Sequence, residues 1–339
     1  MDPARADFAH PNGVNAMQTT SHRTALVLGA TGGVGGATAQ ALLDKGWHVK
    51  ALTRRTMPAD GPIQWIKGDA MNAADVLKAA AGAQVIVHAV NPPGYRNWET
   101  EVLPMIDHTI AAARAVDARI VIFGSVYNYG PDTFPLLRED SPQHAPTRKG
   151  EIRVELERRL EAAARDGVRS LNLRCGDFYG PNAGSSWFAQ GLVKPGKPLR
   201  VMHYPGPRDL GHAWAYLPDV AATTAALLDQ EDRLDTFARF HFDGHYVTGN
   251  ALHAAARRAS GRPALPLRTF PWIVVTLASP FSTTMREVRK MRYLWRAPLQ
   301  LDGTRLHAFL GDVPSTPIDT ALHATLSSLG VLETVALTQ

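Results

Sequence analysis

The chain has 339 residues, 45% of them apolar and 20% charged, enough to bury a large core as one big domain or as a domain with a smaller lobe. Its 36 basic and 31 acidic side chains leave a net charge of +5, and the basic residues are scattered rather than run together, so nucleic acid is not an expected partner. A single cysteine, Cys175, excludes an intrachain disulfide framework and a cysteine-based zinc site, and fits a reducing, cytoplasmic setting.

Residues 1–22 mix Pro, Asn, Asp, His and Ala without an apolar run of signal-peptide length and read as a flexible arm. From Thr24 onward, short apolar blocks alternate with longer helical ones, the pattern of a parallel sheet covered by helices on both faces. Residues 25–28 form a continuous apolar run that stops at Gly29, as a strand buried on both faces does. Residues 34–43 read as a helix closed by Lys45 and Gly46, and 47–53 as a second strand. Further strands are read at 63–67, ending at Gly68 and Asp69, at 84–90, and at 119–123, ending at Gly124 and Ser125. The segment 151–165 carries Ile152, Leu156, Leu160 and Ala163 on one helical face, and 168–174 supplies a sixth strand.

After Pro181 this rhythm gives way to Gly- and Pro-rich segments, with helical stretches at 218–228 and 249–260. The reading is an α/β fold: a Rossmann-type doubly wound parallel sheet over 23–181, rejoined by elements near 212–246, with a smaller, interleaved C-terminal substrate-binding lobe over 182–330. The apolar stretch 270–281 is shorter than the ~20 residues a spanning helix needs and is interrupted by Pro271 and Pro280. It reads as a buried or lid-like helix, and a membrane is not an expected partner.

Gly29, Gly32 and Gly35 form a G-x-x-G-x-x-G turn between the first strand and the first helix. Without Cβ atoms the chain can turn tightly and let a pyrophosphate approach, while the helix N-terminus offers N–H groups and a favourable dipole. Thr31, Gly33 and Val34 complete this phosphate turn; no Lys-Ser or Lys-Thr follows, which argues against a nucleoside-triphosphate loop. Ligands of such sheets lie at the carboxyl ends of the strands, so Gly29, Thr53, Asp69, Ala89 and Ser125 should face one crevice. Where NAD-preferring folds place an acidic residue, at the end of the second strand, this chain has Arg54 and Arg55, which suit a 2′-phosphate. NADP(H) is therefore the expected cofactor, with NAD(H) the alternative. Asp69 either accepts a hydrogen bond from the adenine amino group or caps the next helix.

Further segments join this turn: Phe123-Gly124-Ser125, Tyr129-Gly130-Pro131, Glu139-Asp140 before Pro142, Phe178-Tyr179-Gly180-Pro181 and Tyr216-Leu217-Pro218-Asp219-Val220-Ala221. With them the chain resembles the extended short-chain dehydrogenase/reductase superfamily, in its epimerase and dehydratase branch, over about residues 23–330. The resemblance implies catalysis by a serine, a tyrosine and a lysine four positions after that tyrosine. Ser125 has the serine's place, where its hydroxyl would polarise a substrate carbonyl or hydroxyl. Aligning Gly150 and Glu157 with their usual partners puts Lys149 where the tyrosine belongs and Arg153 where the lysine belongs. Arg153 would bind ribose and phosphate; Lys149 would serve as acid or base if burial or its cationic neighbour brought its pKa toward neutrality. The alternatives are two ordinary helix charges, or a proton donor relocated to Tyr127 or Tyr179. Reductases similar to isoflavone reductase also use a lysine in place of the tyrosine.

Asp177 and Tyr179 follow the sixth strand at the crevice end, and segments 203–207 and 211–216 bring His203, His212 and aromatic rings to loops above it. With Asn91 they make the expected substrate pocket for a small, moderately polar or sugar-like molecule. The histidines lack metal-ligand spacing, and no metal is expected. Residues 286–295 read as packing with a solvated basic face. Two functions stay open: an NADP(H)-dependent oxidoreductase, epimerase or dehydratase, or a non-catalytic NADP(H)-binding redox sensor similar to the NmrA-type regulators. The resemblance also implies a homodimer built through a four-helix bundle that the 152–165 helix would join.

Overall fold

The computed structural model describes residues 23–92 and 97–332, so the arm expected over 1–22 lies outside the described residues. In chain order the first half contains β1 (Thr24–Leu28), α1 (Gly33–Asp44), β2 (His48–Thr53), β3 (Ile63–Lys67), α2 (Ala73–Ala80), β4 (Val85–His88), α3 (Trp98–Val116), β5 (Arg119–Gly124), β6 (Leu136–Leu137) and α4 (Arg148–Arg165). There follow β7 (Ser170–Cys175), β8 (Asp177–Tyr179), β9 (Met202–Tyr204), β10 (Gly211–Tyr216), α5 (Leu217–Leu228), β11 (Phe237–Phe242), β12 (His245–Thr248) and α6 (Gly249–Ser260). The last elements are β13 (Leu267–Thr269), α7 (Trp272–Ala278), α8 (Thr283–Lys290), β14 (Gln300–Leu301), α9 (Thr304–Leu310) and α10 (Ile318–Ser328).

Seven strands form one parallel sheet in the order β11-β7-β5-β4-β1-β2-β3. The alternation of a strand assigns its side chains to two faces. Ala25 and Val27 point into a core with Ala39 and Leu42 of α1, Val220 of α5 and Leu306 of α9. Leu26 and Leu28 point into the opposite core, with Val76 of α2, Ile106 of α3 and Leu156 of α4. Both faces being covered, β1 reads as an unbroken apolar run. The face of α4 formed by Ile152, Leu156, Leu160 and Ala163 is buried in that second core. A dimer through α4 would therefore meet on charged faces such as that of Glu155, Arg158 and Arg159.

A third core lies away from the central sheet and gathers aromatic residues of β8, β9 and β10 with α6, α7 and α10. Here β10 pairs with β8 and, antiparallel, with β12, while β9 pairs with β13. Of the elements near 212–246, β11 joins the central sheet and α5 packs on the first core, whereas β10 and β12 stand in the smaller sheet. Of the two readings of 270–281, a buried or a lid-like helix, the buried one does not hold. Only Trp272 and Val275 of α7 pack inward, whereas Ile273, Val274, Leu277 and Phe281 are 77%, 61%, 71% and 93% exposed. Pro271 and Pro280 bracket a helix of seven residues, which rests on the core by one narrow face. Among the described residues no helix is long and apolar enough to cross a membrane.

Candidate active site

The β1–α1 turn is built by backbone contact. Gly29 has φ +93°, a conformation that L side chains rarely adopt, and a Cβ there would stand 2.5 Å from the Ala89 carbonyl oxygen. A Cβ on Gly35 would stand 2.3 Å from the Gly29 carbonyl oxygen. The Gly32 N–H donates to that same oxygen at 2.9 Å, and Gly32 starts α1 with no side-chain cap. The first N–H groups of α1 thus open onto the carboxyl edge of the sheet beside exposed Thr31 and Gly32, an arrangement suited to an anion. Gly33 lies against the Asn182 backbone and Leu217, and Val34 packs toward the first core.

The register of the sheet sets the neighbouring strand ends in a row. Leu28 faces Leu52 and His88, Thr53 faces Lys67, and His88 faces Ile122. Gly29, Thr53, Ala89 and Ser125 therefore lie along one edge. Arg54 and Arg55 are exposed at the end of β2, where the Arg55 N–H donates to Thr53 Oγ1 at 3.1 Å. Asp69 does not cap α2; Asn72 does, accepting from Ala74 and Asp75 N–H groups, while the Asp69 carboxylate accepts from the Met71 N–H at 3.0 Å.

Ser125 opens the 3-10 turn Val126–Asn128, and its hydroxyl donates to Asn128 Oδ1 at 3.5 Å. A buried network holds this turn from below. Asn128 Nδ2 donates to Glu157 Oε1 at 2.9 Å, Arg174 Nη2 donates to Glu157 Oε2 at 2.6 Å, and Arg174 also donates to the Ser125 carbonyl. A Cβ on Gly150 would stand 2.2 Å from the Tyr127 carbonyl oxygen, so the first turn of α4 closes directly on the Ser125 loop.

That closure delivers Lys149 and Arg153, one helical turn apart, to the ring of Trp98 at the start of α3. Lys149 Nζ is 5.5 Å and Arg153 Cζ 5.2 Å from the ring centroid. The Lys149 side chain is only 3% exposed, with Nζ 3.7 Å from Glu287 Oε2 of α8. Burial pushes the Lys149 amine down to about 8; the Glu287 carboxylate opposes this and Lys290 reinforces it. Arg153 donates to Asn91 Oδ1 at 2.8 Å, and burial lowers its pKa, opposed by nearby Tyr127 and Glu157. Nearby His88 is fully enclosed against Thr109, and burial, helped by Arg153, holds it down to about 3, so its ring stays neutral.

Other expected pocket residues are placed differently. Tyr179 is buried in the third core, its hydroxyl 2.9 Å from His245 Nδ1, and burial raises its phenol far above the usual range. Asp177 and His212 are buried against each other at 2.7 Å, with the His212 ring stacked on Trp295 at 3.9 Å. These three side chains are turned inward because the β8–β10 pairing sets Asp177 opposite Trp214 and Tyr179 opposite Tyr216. His203 lies half-buried on β9, where burial and then Arg268 and Lys194 lower its pKa. Trp98, Asn128, Arg174 and Glu287 join the site without having been singled out in the sequence. For Glu287 a signal existed, since it is the single acidic residue between Gly261 and Gln300.

The model of the NAD dependent epimerase/dehydratase family matches residues 25–241. Among curated proteins, the 3-diazoavenalumate denitrifying reductase of a Streptomyces species is 30% identical over 175 residues, 47% of this chain and 57% of that protein. The chain thus aligns with little more than half the length of this relative. Among solved structures, MoeE5 in complex with UDP-glucose and NAD has a TM-score of 0.69 at 19% identity, covering 90% of this chain and 98% of MoeE5. The UDP-glucuronic acid 4-epimerase from Bacillus cereus, in complex with NAD, has a TM-score of 0.70 at 15% identity over 90% of this chain and 98% of that one. The UDP-glucose 4-epimerase from Bifidobacterium longum, in complex with NAD+ and UDP, has a TM-score of 0.70 at 17% identity over 90% and 97%. At these identities the three structures share the fold.

Proposed function

Because the chain belongs to the NAD dependent epimerase/dehydratase family, we propose that it is an NADP(H)-dependent oxidoreductase, epimerase or dehydratase acting on a carbonyl or carbinol carbon of a small, sugar-like molecule, with Lys149 carrying the proton. The observation that carries this reading is the placement of Lys149: buried on Trp98, its pKa lowered to about 8, and brought to the Ser125 loop by Gly150. General acid–base groups work best when their pKa lies near the operating pH. The UDP-glucose complex of MoeE5 and the sugar-nucleotide substrates named for the two epimerases support the substrate class, and the Streptomyces reductase supports reduction as one direction.

The glycine cradle fits a dinucleotide, since Cβ atoms at Gly29 and Gly35 would fill the space against which a pyrophosphate-binding turn closes. Gly29, Thr31, Gly32, Gly33, Val34 and Gly35 would hold the pyrophosphate, Asp69 and Ala89 would flank the adenosine and nicotinamide halves, and Arg153 would hold a ribose. When bound, the cofactor supplies hydride exchange at C4 of its nicotinamide. Ser125 would polarise the substrate oxygen, its own position fixed by the Asn128–Glu157–Arg174 network. Lys149 would give a proton to that oxygen in reduction and take it in oxidation, with Tyr127 beside Arg153 as the second candidate carrier. Asp177, Tyr179 and His212 would shape the lobe rather than touch the reacting atoms.

Arg54 and Arg55 support NADP(H) over NAD(H). Arg54→Ala/Arg55→Ala should weaken NADPH binding by about tenfold to a hundredfold, the worth of one charge-assisted contact of roughly 1.5–3 kcal/mol, and leave NADH binding unchanged in fluorescence titrations. Equal losses for both nucleotides would remove the 2′-phosphate reading. Glu287 raises the pKa of Lys149, so Glu287→Gln should lower it. In the reductive direction, which needs the ammonium, the alkaline fall of kcat/KM should then begin at lower pH than its parent position near 8; an unmoved limb would exclude Lys149 as the titrating group.

A further inference from the structure

The α7–α8 hairpin carries the largest group of exposed apolar side chains among the described residues. Ile273, Val274 and Leu277 of α7, with Phe281 just beyond it, are each more than 60% exposed, while the opposite face of α7 is anchored in the third core through Trp272 and Val275. Such groupings on a protein surface mark contact with a partner or a membrane. The same hairpin is strongly basic. Arg289 of α8 donates to Ser279 Oγ at 3.4 Å, and Arg292 lies 5.2 Å over the Trp272 ring, so both touch the α7 segment directly; Arg286 and Lys290 are exposed beside them. Between Gly261 and Gln300 the sequence has seven basic residues and one acidic one, a balance of +6 against +5 for the whole chain. The one acid, Glu287, faces Lys149 and Lys290.

We infer that this hairpin is a peripheral docking surface for an anionic lipid bilayer, with Ile273, Val274, Leu277 and Phe281 entering the headgroup–acyl boundary and the basic residues meeting the headgroups. Apolar side chains rimmed by Lys and Arg are the combination that holds a helix in the interfacial plane. A second copy docking through this face would bring two strongly positive surfaces together. A protein partner needs a packed, complementary patch, whereas side chains that project as far as Phe281, at 93% exposed, are accommodated by a fluid phase. The length rule that argues against a spanning helix does not bear on a helix lying in the interface.

Co-sedimentation of the full chain with phosphatidylcholine vesicles, with and without phosphatidylglycerol, tests this. At least about tenfold more protein should sediment with the anionic vesicles, and high salt should release it. Leu277→Asp/Phe281→Asp and, separately, Arg286→Glu/Arg289→Glu should each reduce binding about tenfold or more while the thermal melt is unchanged, as expected for exposed positions. Should the apolar variant fail to fold, the charge-reversal variant decides alone. Equal or absent sedimentation with both vesicle types would overturn the inference. So would a solution dimer that either variant converts to monomer, or retention on an acidic polypeptide by protein that ignores anionic vesicles.

Discussion

Lys149→Met is expected to lower kcat by roughly 10²–10⁴, the usual worth of a positioned acid or base, and at the same time to stabilise the protein at pH 7. The two effects have one cause. A lysine whose pKa falls from 10.5 to about 8 on folding binds its proton less readily in the folded state than in the unfolded one. Between these values the unfolded chain holds more protons, so stability of the parent rises with pH across this window; below about 8 the full cost of burying the ammonium is present, and above 10.5 none of it is. An apolar side chain of similar length removes that cost, which is on the order of 1–3 kcal/mol. Urea melts at pH 7 and at pH values above the window would read the margin directly. It should be present at the lower pH and vanish at the higher. A variant that loses turnover without gaining stability would indicate that the Glu287 and Trp98 contacts compensate the buried charge, and one that keeps its turnover would exclude Lys149 from proton transfer.

Gly35→Ala is expected to weaken nucleotide binding strongly. Its Cβ would stand 2.3 Å from the Gly29 carbonyl oxygen and 2.8 Å from the Gly29 carbonyl carbon, both backbone atoms of the turn itself. Relief requires α1 and the turn to separate, at about 1–3 kcal/mol in stability as for other overpacked sites. The N–H groups at the start of α1 would then lose their aim, and charge-assisted hydrogen bonds of roughly 1.5–3 kcal/mol correspond to about tenfold to a hundredfold in affinity. Gly32→Ala is the internal comparison: its nearest contact would be 3.3 Å and its backbone is not left-handed, so a milder loss is expected in the same titration. Equal losses in the two variants would contradict the backbone-contact account of the turn.

The parts of this molecule that were legible in the sequence are those in which a local pattern fixes the outcome. Residues 25–28 are buried on both faces of the sheet, so they read as an unbroken apolar run, and Gly29 ends that run because the chain must turn through a positive φ. The apolar stripe of α4 at Ile152, Leu156, Leu160 and Ala163 was equally plain. What escaped depends on pairings between distant segments. Whether Asp177 and His212 face a crevice or each other is decided by the register of β8 on β10, and no local signal carries that register. Tyr179 shares with Asp177 the face of β8 that looks into the third core, and its hydroxyl is bound to His245, 66 residues away. Glu287 reaches Lys149 only because α8 packs back across the chain. The exposure of α7 is not legible for a simpler reason: apolar content indicates burial on average, and here two residues suffice to anchor a short helix.

The most direct test of the central claim is to bind NADPH to the purified protein and follow its fluorescence on addition of keto-sugars, including UDP-linked ones, aldehydes and ketones, in the parent and in Lys149→Met. Oxidation of bound NADPH by a member of the panel in the parent, with binding retained and oxidation lost in the variant, is the predicted result. Tight binding of NADPH with no oxidation across the panel would contradict a catalytic role for Lys149 and leave the chain as a nucleotide sensor.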